Sequence, residues 1–200
     1  MLRLISITLS LVVLMAMLAG AGILWIFWTY GKGLPDYQQL ANYEPPVVTR
    51  VHAGNGALLA EYASEKRLFV PVEAIPPKLI QAFISAEDKA FYDHFGVDLR
   101  AMARAVIINV VNYGSGRRPV GASTITQQVT KNFLLTNEVS IDRKIKEAIL
   151  SLRMERAFTK DQILALYLNE IYLGQGTFGV ASASLEYFDK SVKELNYMEA

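Results

Sequence analysis

Two hundred residues carry twenty Lys+Arg against nineteen Asp+Glu, with 52% hydrophobic residues and no cysteine. A formal charge of +1 gives no global field to recruit nucleic acid, and this hydrophobicity at near-zero charge excludes an intrinsically disordered chain. The missing cysteines exclude a disulfide framework, a thiolate nucleophile and a cysteine-type zinc site. His52 and His94 alone are too few for a multi-histidine metal centre. The mean hydropathy of +0.23 is high for a soluble domain and calls for a membrane segment.

Leu4 to Gly31 contains no charged residue. As a helix this run would reach about 42 Å, more than a hydrocarbon core of about 30 Å. Trp25, Trp28 and Tyr30 cluster at its far end, where amphipathic rings favour the headgroup level. Arg3 and the amino terminus precede it, so the positive-inside bias puts residues 1–3 in the cytoplasm, with Lys32 opposing only slightly. The competing reading is a cleaved signal peptide with Ala19-Gly20-Ala21-Gly22 as its cleavage region, but signal h-regions are usually shorter than this run. Both readings export the remainder, which holds nineteen residues of each charge.

Residues 32–75 read as a linker with short β-strands. Up to Pro46 it is Gly, Pro, Asn and Asp with little periodicity. Val47–Val51 and Ala57–Tyr62 then flank Gly54-Asn55-Gly56, a hairpin signal. Leu68-Phe69-Val70 is predicted as a third strand, stopped by Pro71. From Pro76 the period becomes helical. Lys78 to about Asp88 forms one segment, and Asp98 caps a second through Ile108. Thr124 with Gln127 and Thr159 with Gln162 are capping-box pairs opening two more helices, with Ile141–Ala157 helical between them. Gly174, Gly176 and Gly179 punctuate a turn before Val180–Leu185. Tyr197–Ala200 reads as the interior of a helix, the mark of a truncated chain. The expectation is a mainly α domain over residues 76–200, preceded by a transmembrane helix and a β-containing stalk.

Two carboxylates occupy unusual helical positions. At about 100° per residue, Glu87 falls on the apolar arc of Leu79, Phe83 and Ala86. A carboxylate there is costly to ionise and suited to proton transfer; the alternative is a helix that frays first, leaving the side chain in water. In Ile141–Ala157 the main stripe is Ile141, Ile145, Ala148, Ile149 and Leu152. Glu147 lies well away from it, beside Arg143, Leu150 and Met154, which predicts burial on both sides of the helix. The alternative is a surface i,i+4 ion pair. Two such glutamates suit chemistry at a sugar C–O bond. Thr124, Gln127, Gln128, Lys131 and Asn132 form a polar face able to bind hydroxyls and phosphate, or merely a solvated one. His94 before Gly96 reads as a structural hydrogen-bonder.

These residues fall in ordered motifs. Glu87-Asp88-Lys89-Ala90-Phe91-Tyr92-Asp93-His94-Phe95-Gly96 resembles the first motif of the peptidoglycan glycosyltransferases, E-D-x-x-F-x-x-H-x-G. Gly121 to Gln128 with Lys131-Asn132 resembles their second, Arg143-Lys144-Ile145-Lys146-Glu147 their third, Lys160 to Glu170 their fourth and Gly174 to Phe188 their fifth. The apolar anchor and the Arg67 to Pro76 stretch are similar to class A penicillin-binding proteins of the 1a type. Asp189 departs from the pattern, since Gly is frequent there, and a Gly-Ser-Gly-Arg-Arg loop precedes the second motif.

The resemblance implies a lysozyme-like helical fold that polymerises lipid II on the outer face of the cytoplasmic membrane. It implies that Glu87 deprotonates the acceptor 4-hydroxyl. Glu147 would assist departure of the lipid diphosphate, directly or through a divalent metal, magnesium or manganese. Lys131 and Arg143 would contact the diphosphate, while Asp88, Phe91, His94, Thr124, Gln128 and Asn132 would bind substrate or shape the site. The implied partners are lipid II, the nascent lipid-linked glycan, the membrane and other cell-wall synthesis proteins. A membrane-anchored glycan hydrolase and a non-catalytic cell-wall scaffold are the competing functions. The serine motifs of a transpeptidase, S-x-x-K and K-T-G, are absent from the sequence.

Overall fold

A computed structural model describes residues 1–43, 49–56, 58–62, 66–136 and 138–200. Helix α1 spans Leu2–Tyr30 and ends at Gly31, whose amide bonds Phe27 O. It supplies the single membrane-length apolar span among the described residues, Ile5–Tyr30. Strands β1 (Thr49–His52) and β2 (Leu58–Tyr62) pair antiparallel, as the glycine turn predicts; Val47, Val48 and Ala57 lie outside the described residues. The remaining helices are α2 (Pro77–Glu87), α3 (Leu99–Val111), α4 (Ile125–Leu134), α5 (Ile141–Ala157), α6 (Lys160–Glu170) and α7 (Val180–Phe188). The domain is mainly α, as expected.

Local chemistry explains the helix starts. Asp98 accepts the amides of Arg100 and Ala101, each at 2.9 Å, and both predicted capping boxes form, Thr124 with Gln127 and Thr159 with Gln162. α4 and α6 enclose the core, with Ile125, Val129, Leu150, Met154, Ile163, Leu164, Tyr167 and Leu168 all shut from water. Their burial supplies the main folding drive.

The expected burial on both sides of α5 is uneven, and its fully buried face is the Glu147 side. Glu147, Leu150, Ser151 and Met154 point inward, whereas Ile141 is 80% exposed and only Ile149 of its stripe is buried. The stripe faces α1 across a gap, and bonds beside it tie the anchor to α5: Tyr30 Oη donates to Asp142 Oδ1 at 3.1 Å, and Arg153 Nη2 donates to Gly31 O at 3.2 Å. Both faces of α5 are therefore apolar for different reasons, one facing the core and one facing the anchor.

The third strand is also displaced. β3 is Lys66–Arg67, running parallel to β5 (Thr177–Phe178), which pairs antiparallel with β4 (Tyr172–Gly174). Val70 needs no ladder, because one side chain satisfies both its peptide groups: Asn169 Oδ1 accepts its N–H and Asn169 Nδ2 donates to its C=O, each at 2.8 Å. Arg67 pairs with Glu170, and Tyr43 Oη donates to the same carboxylate at 3.3 Å. Leu40, Tyr37 and Tyr43 pack on the core, so the linker is docked on the domain. Residues 197–199 form a single turn that Asn196 Oδ1 caps through the amides of Met198 and Glu199, in place of the expected helix interior.

Two backbone positions carry a test. Gly96 has φ +77, and a Cβ there would lie 2.7 Å from Ser151 O on α5. Gly96→Ala is expected to destabilise the domain by about 1–3 kcal/mol, read as a fall in denaturant midpoint. Asp189 ends α7 in the left-handed conformation, φ 51 and ψ 38, which accounts for the glycine frequent there. Asp189→Gly is expected to raise the midpoint by up to about 1 kcal/mol.

Candidate active site

Glu87 is the last residue of α2. The helix does not fray before it, yet its side chain is exposed, contrary to the burial expected from periodicity. Helix wheels assume flanking mass on both ends of the arc, and here the arc ends at the mouth of the fold. The Glu87 carboxylate accepts a hydrogen bond from Gln128 Nε2 of α4 at 2.8 Å.

The adjoining residue turns inward and fixes this geometry. Asp88 is buried; its carboxylate accepts the Ile125 amide at 3.0 Å and a bond from His94 Nε2 at 2.9 Å. A carboxylate at the amino end of α4 also meets the favourable end of the helix dipole. Thr124 Oγ1 donates to Gly96 O at 2.7 Å and accepts the Gln127 amide at 3.1 Å. Phe91 is fully buried beneath the loop, and Lys160 Nζ donates to His94 O at 2.8 Å. Asp88, Phe91, His94 and Thr124 thus lie under the site and hold α2 to α4, where the resemblance had them binding or shaping it. The structural reading of His94 fits this placement.

The polar face of α4 divides. Thr124 and Gln127 are consumed in the capping box, while Gln128, Lys131 and Asn132 share an arc of about 100° on the Glu87 side. Lys131 is half-buried and has no ion-pair partner among the described residues. On the other side of α4, Thr130 Oγ1 and Ser151 Oγ lie 3.1 Å apart, and Thr126 Oγ1 donates to Glu155 at 2.6 Å. These bonds pack α5 along the helix.

Glu147 is 2% exposed, so the surface ion-pair alternative is excluded. Arg143 Nη1 meets its Oε2 at 2.5 Å, and Lys144 Nζ pairs with its Oε1. Lys144 Nζ also donates to Ser123 Oγ at 2.8 Å, and Arg143 Nε bonds Glu138 O. Two cations on one carboxylate satisfy the buried charge and leave a surplus positive charge at this end of α5. The structure therefore joins Gln128 to Glu87, with Lys131 on the same arc of α4, and keeps Arg143 with Glu147 as a second cluster. Lys144, inside the quoted third motif, was the residue that helical spacing passed over; its i,i+3 relation to Glu147 was the available signal. Tyr167 was passed over too. It is buried against Phe83, edge to face at 6.1 Å, and its hydroxyl has no partner among the described residues. Burial, then the charge of Glu87, push its phenol up and keep it protonated.

The residues around Glu147 do not fit a resident divalent ion. Each carboxylate oxygen already faces a cation, and no cluster of three His, Asp or Glu exists among the described residues.

Comparison with known proteins places this arrangement. The family model described as Transglycosylase matches residues 55–200. The chain is 58% identical over 184 residues to penicillin-binding protein 1A of Rickettsia felis, covering 92% of this chain and 23% of that protein. It is 46% identical over 169 residues to penicillin-binding protein 1A of Aquifex aeolicus, covering 84% and 23%. With its counterpart from Neisseria flavescens it shares 46% identity over 175 residues, covering 88% and 21%. The chain belongs to the transglycosylase family, as a domain of the class A penicillin-binding-protein kind. It spans less than a quarter of the length of these curated relatives.

The division between site and framework is measurable in the absence of substrate. Glu147→Ala leaves two cations without their buried counter-charge and is expected to cost about 3–5 kcal/mol. Lys131→Ala, with no ion pair to lose among the described residues, is expected to stay within about 0.5 kcal/mol of wild type. Denaturant melts of both variants check the contrast.

Proposed function

We propose that the chain is a peptidoglycan glycosyltransferase that extends glycan strands from lipid II. The observation that carries this reading is an exposed carboxylate, Glu87, on the side of α4 that presents Lys131, a lysine with no ion-pair partner among the described residues. Glu87 accepts the proton of the acceptor 4-hydroxyl as that oxygen attacks C1 of the donor sugar. The C1–oxygen bond to the diphosphate breaks, and the lipid diphosphate leaves with the bonding electrons. Attack opposite an α-linked leaving group gives an inverted, β-1,4 linkage. Lys131 meets the departing anion, and the surplus charge of the Arg143–Lys144–Glu147 cluster favours the same polarity. Glu147 holds both cations in place for leaving-group departure. Gln128 orients Glu87, and Asn132 adds an amide to the same surface.

A hydrolase would have no diphosphate to hold, which makes the unpaired Lys131 the feature that favours transfer. A scaffold would need no base at all. Extension of labelled lipid II by wild type and Glu87→Gln, each with and without chelator, separates the readings. Polymer from wild type, and its loss in a folded Glu87→Gln, is the expected result. Shortening of preformed glycan with lipid II left intact would indicate the hydrolase, neither polymer nor shortening from wild type would indicate the scaffold, and polymer from Glu87→Gln would remove Glu87 as the base. Polymer that survives chelation is expected from the ligation at Glu147, against the magnesium or manganese need that the resemblance allows.

The same reading places the catalytic domain on the outer face of the cytoplasmic membrane, with the amino terminus inside and α1 as a single-pass anchor. Val106, Ile107, Val110 and Val111 of α3 are exposed, and this apolar face dips into the bilayer beside the lipid-linked substrate. Val110→Glu in a chain lacking residues 1–31 is expected to weaken binding to liposomes in flotation assays. Unchanged flotation would place α3 in water.

A further inference from the structure

Behind α5, a cavity of about 1310 Å³ opens between the anchor and the domain. Ile26 and Phe27 of α1 form one wall, Ile145 and Leu152 of α5 another, and Leu99 and Met102 of α3 the floor. It exceeds the roughly 300–1,000 Å³ of an ordinary small-molecule pocket. On α5 the lining arc of Ile145, Ala148 and Leu152 is centred about 140° from Glu147, so this space lies at the back of the candidate active site.

An apolar gap of this size is costly in water, because closing it would remove apolar surface from solvent. Its α1 wall, however, belongs to the membrane-length span Ile5–Tyr30. Ile26 and Phe27 sit about 4.5–6 Å along the helix from Tyr30, at the level marked by Trp25, Trp28 and Tyr30, where headgroups give way to chains. The medium available there is lipid hydrocarbon. The exposed Leu99 and Met102 of α3 and Ile141 of α5 carry the apolar surface from the cavity towards Val106 and Val110. Its polar lining holds two bases, Arg100 and Lys144, and two acids, Asp93 and Asp98, beside His94 and Gln127. Such a balance selects no charged headgroup, which leaves the hydrocarbon chain as the part recognised.

We infer that this cavity is a lipid site, filled by an acyl chain of a bilayer phospholipid that wedges the anchor against α5. Glu87 does not line the cavity, which touches the Glu147 cluster only through Lys144. The wedge sets the angle between α1 and the domain, and so the height of Glu87 above the membrane.

The test uses the full chain. With Trp25 and Trp28 replaced by Phe, Leu152→Trp provides a single reporter at the cavity wall. In vesicles of phosphatidylcholine brominated at mid-chain, that tryptophan is expected to lose most of its emission relative to unbrominated vesicles. Native mass spectrometry of the wild-type chain released from membranes in detergent is expected to show one retained phospholipid. Ala148→Trp, which fills the space, is expected to lose that mass while keeping the wild-type helical circular dichroism; Ile145→Glu serves the same purpose if Ala148→Trp fails to fold. Unquenched emission, or a wild-type chain without retained phospholipid, overturns the inference. So does a retained mass that is an isoprenoid diphosphate, since the occupant would then be the tail of a lipid-linked substrate. Loss of lipid II polymerisation in Glu87→Gln would bear on the reaction alone and leave this result untouched.

Discussion

The Asp88 carboxylate is the point on which the rest of the site depends. It joins the end of α2 to the start of α4 by accepting the Ile125 amide, and it anchors the loop between them by bonding His94. A buried acid with two donors and the dipole of α4 behind it is well satisfied. Because Asp88 turns inward, Glu87 one residue earlier is carried outward to Gln128. Adjacent acids of the same type thus take opposite tasks, one held in the framework and one offered to solvent.

Around that latch the two polar clusters are set by the amphipathic division of α4. Thr126 and Thr130 face α5, while Gln128 and Lys131 face Glu87. The helix therefore separates the exposed Glu87, with a lysine that has no ion-pair partner among the described residues, from a buried glutamate clamped by Arg143 and Lys144. A reaction that moves a proton on one flank and steadies negative charge along the other is suited to this layout. The ordered transglycosylase match over residues 55–200 agrees with it.

Helix starts were legible in the sequence because caps are local chemistry: Asp98, Thr124 and Thr159 each act within their own first turn. Burial of Glu147 was legible as well, since Leu150 and Met154 flank it on one face. Three features were not. What the α5 stripe faces was not legible, because periodicity reports only that a face is apolar, and a face turned to an anchor helix reads like one turned to a core. Glu87 read as buried because helical angle carries no information on where the neighbouring helices stop. The strand at Val70 failed because a distant amide, Asn169, replaced the ladder that the local pattern implies. Likewise, the roles of Asp88 and Thr124 under the site emerge only once α4 is docked.

The account stands on Glu87 and Lys131 serving one reacting centre. A double-mutant cycle on lipid II elongation measures this directly, with Glu87→Gln and Lys131→Ala made singly and together. Groups acting in concert at one centre are non-additive, so the double variant is expected to elongate little more slowly than the worse single one. Losses that multiply independently, or a Glu87→Gln chain that elongates at the wild-type rate, would contradict it.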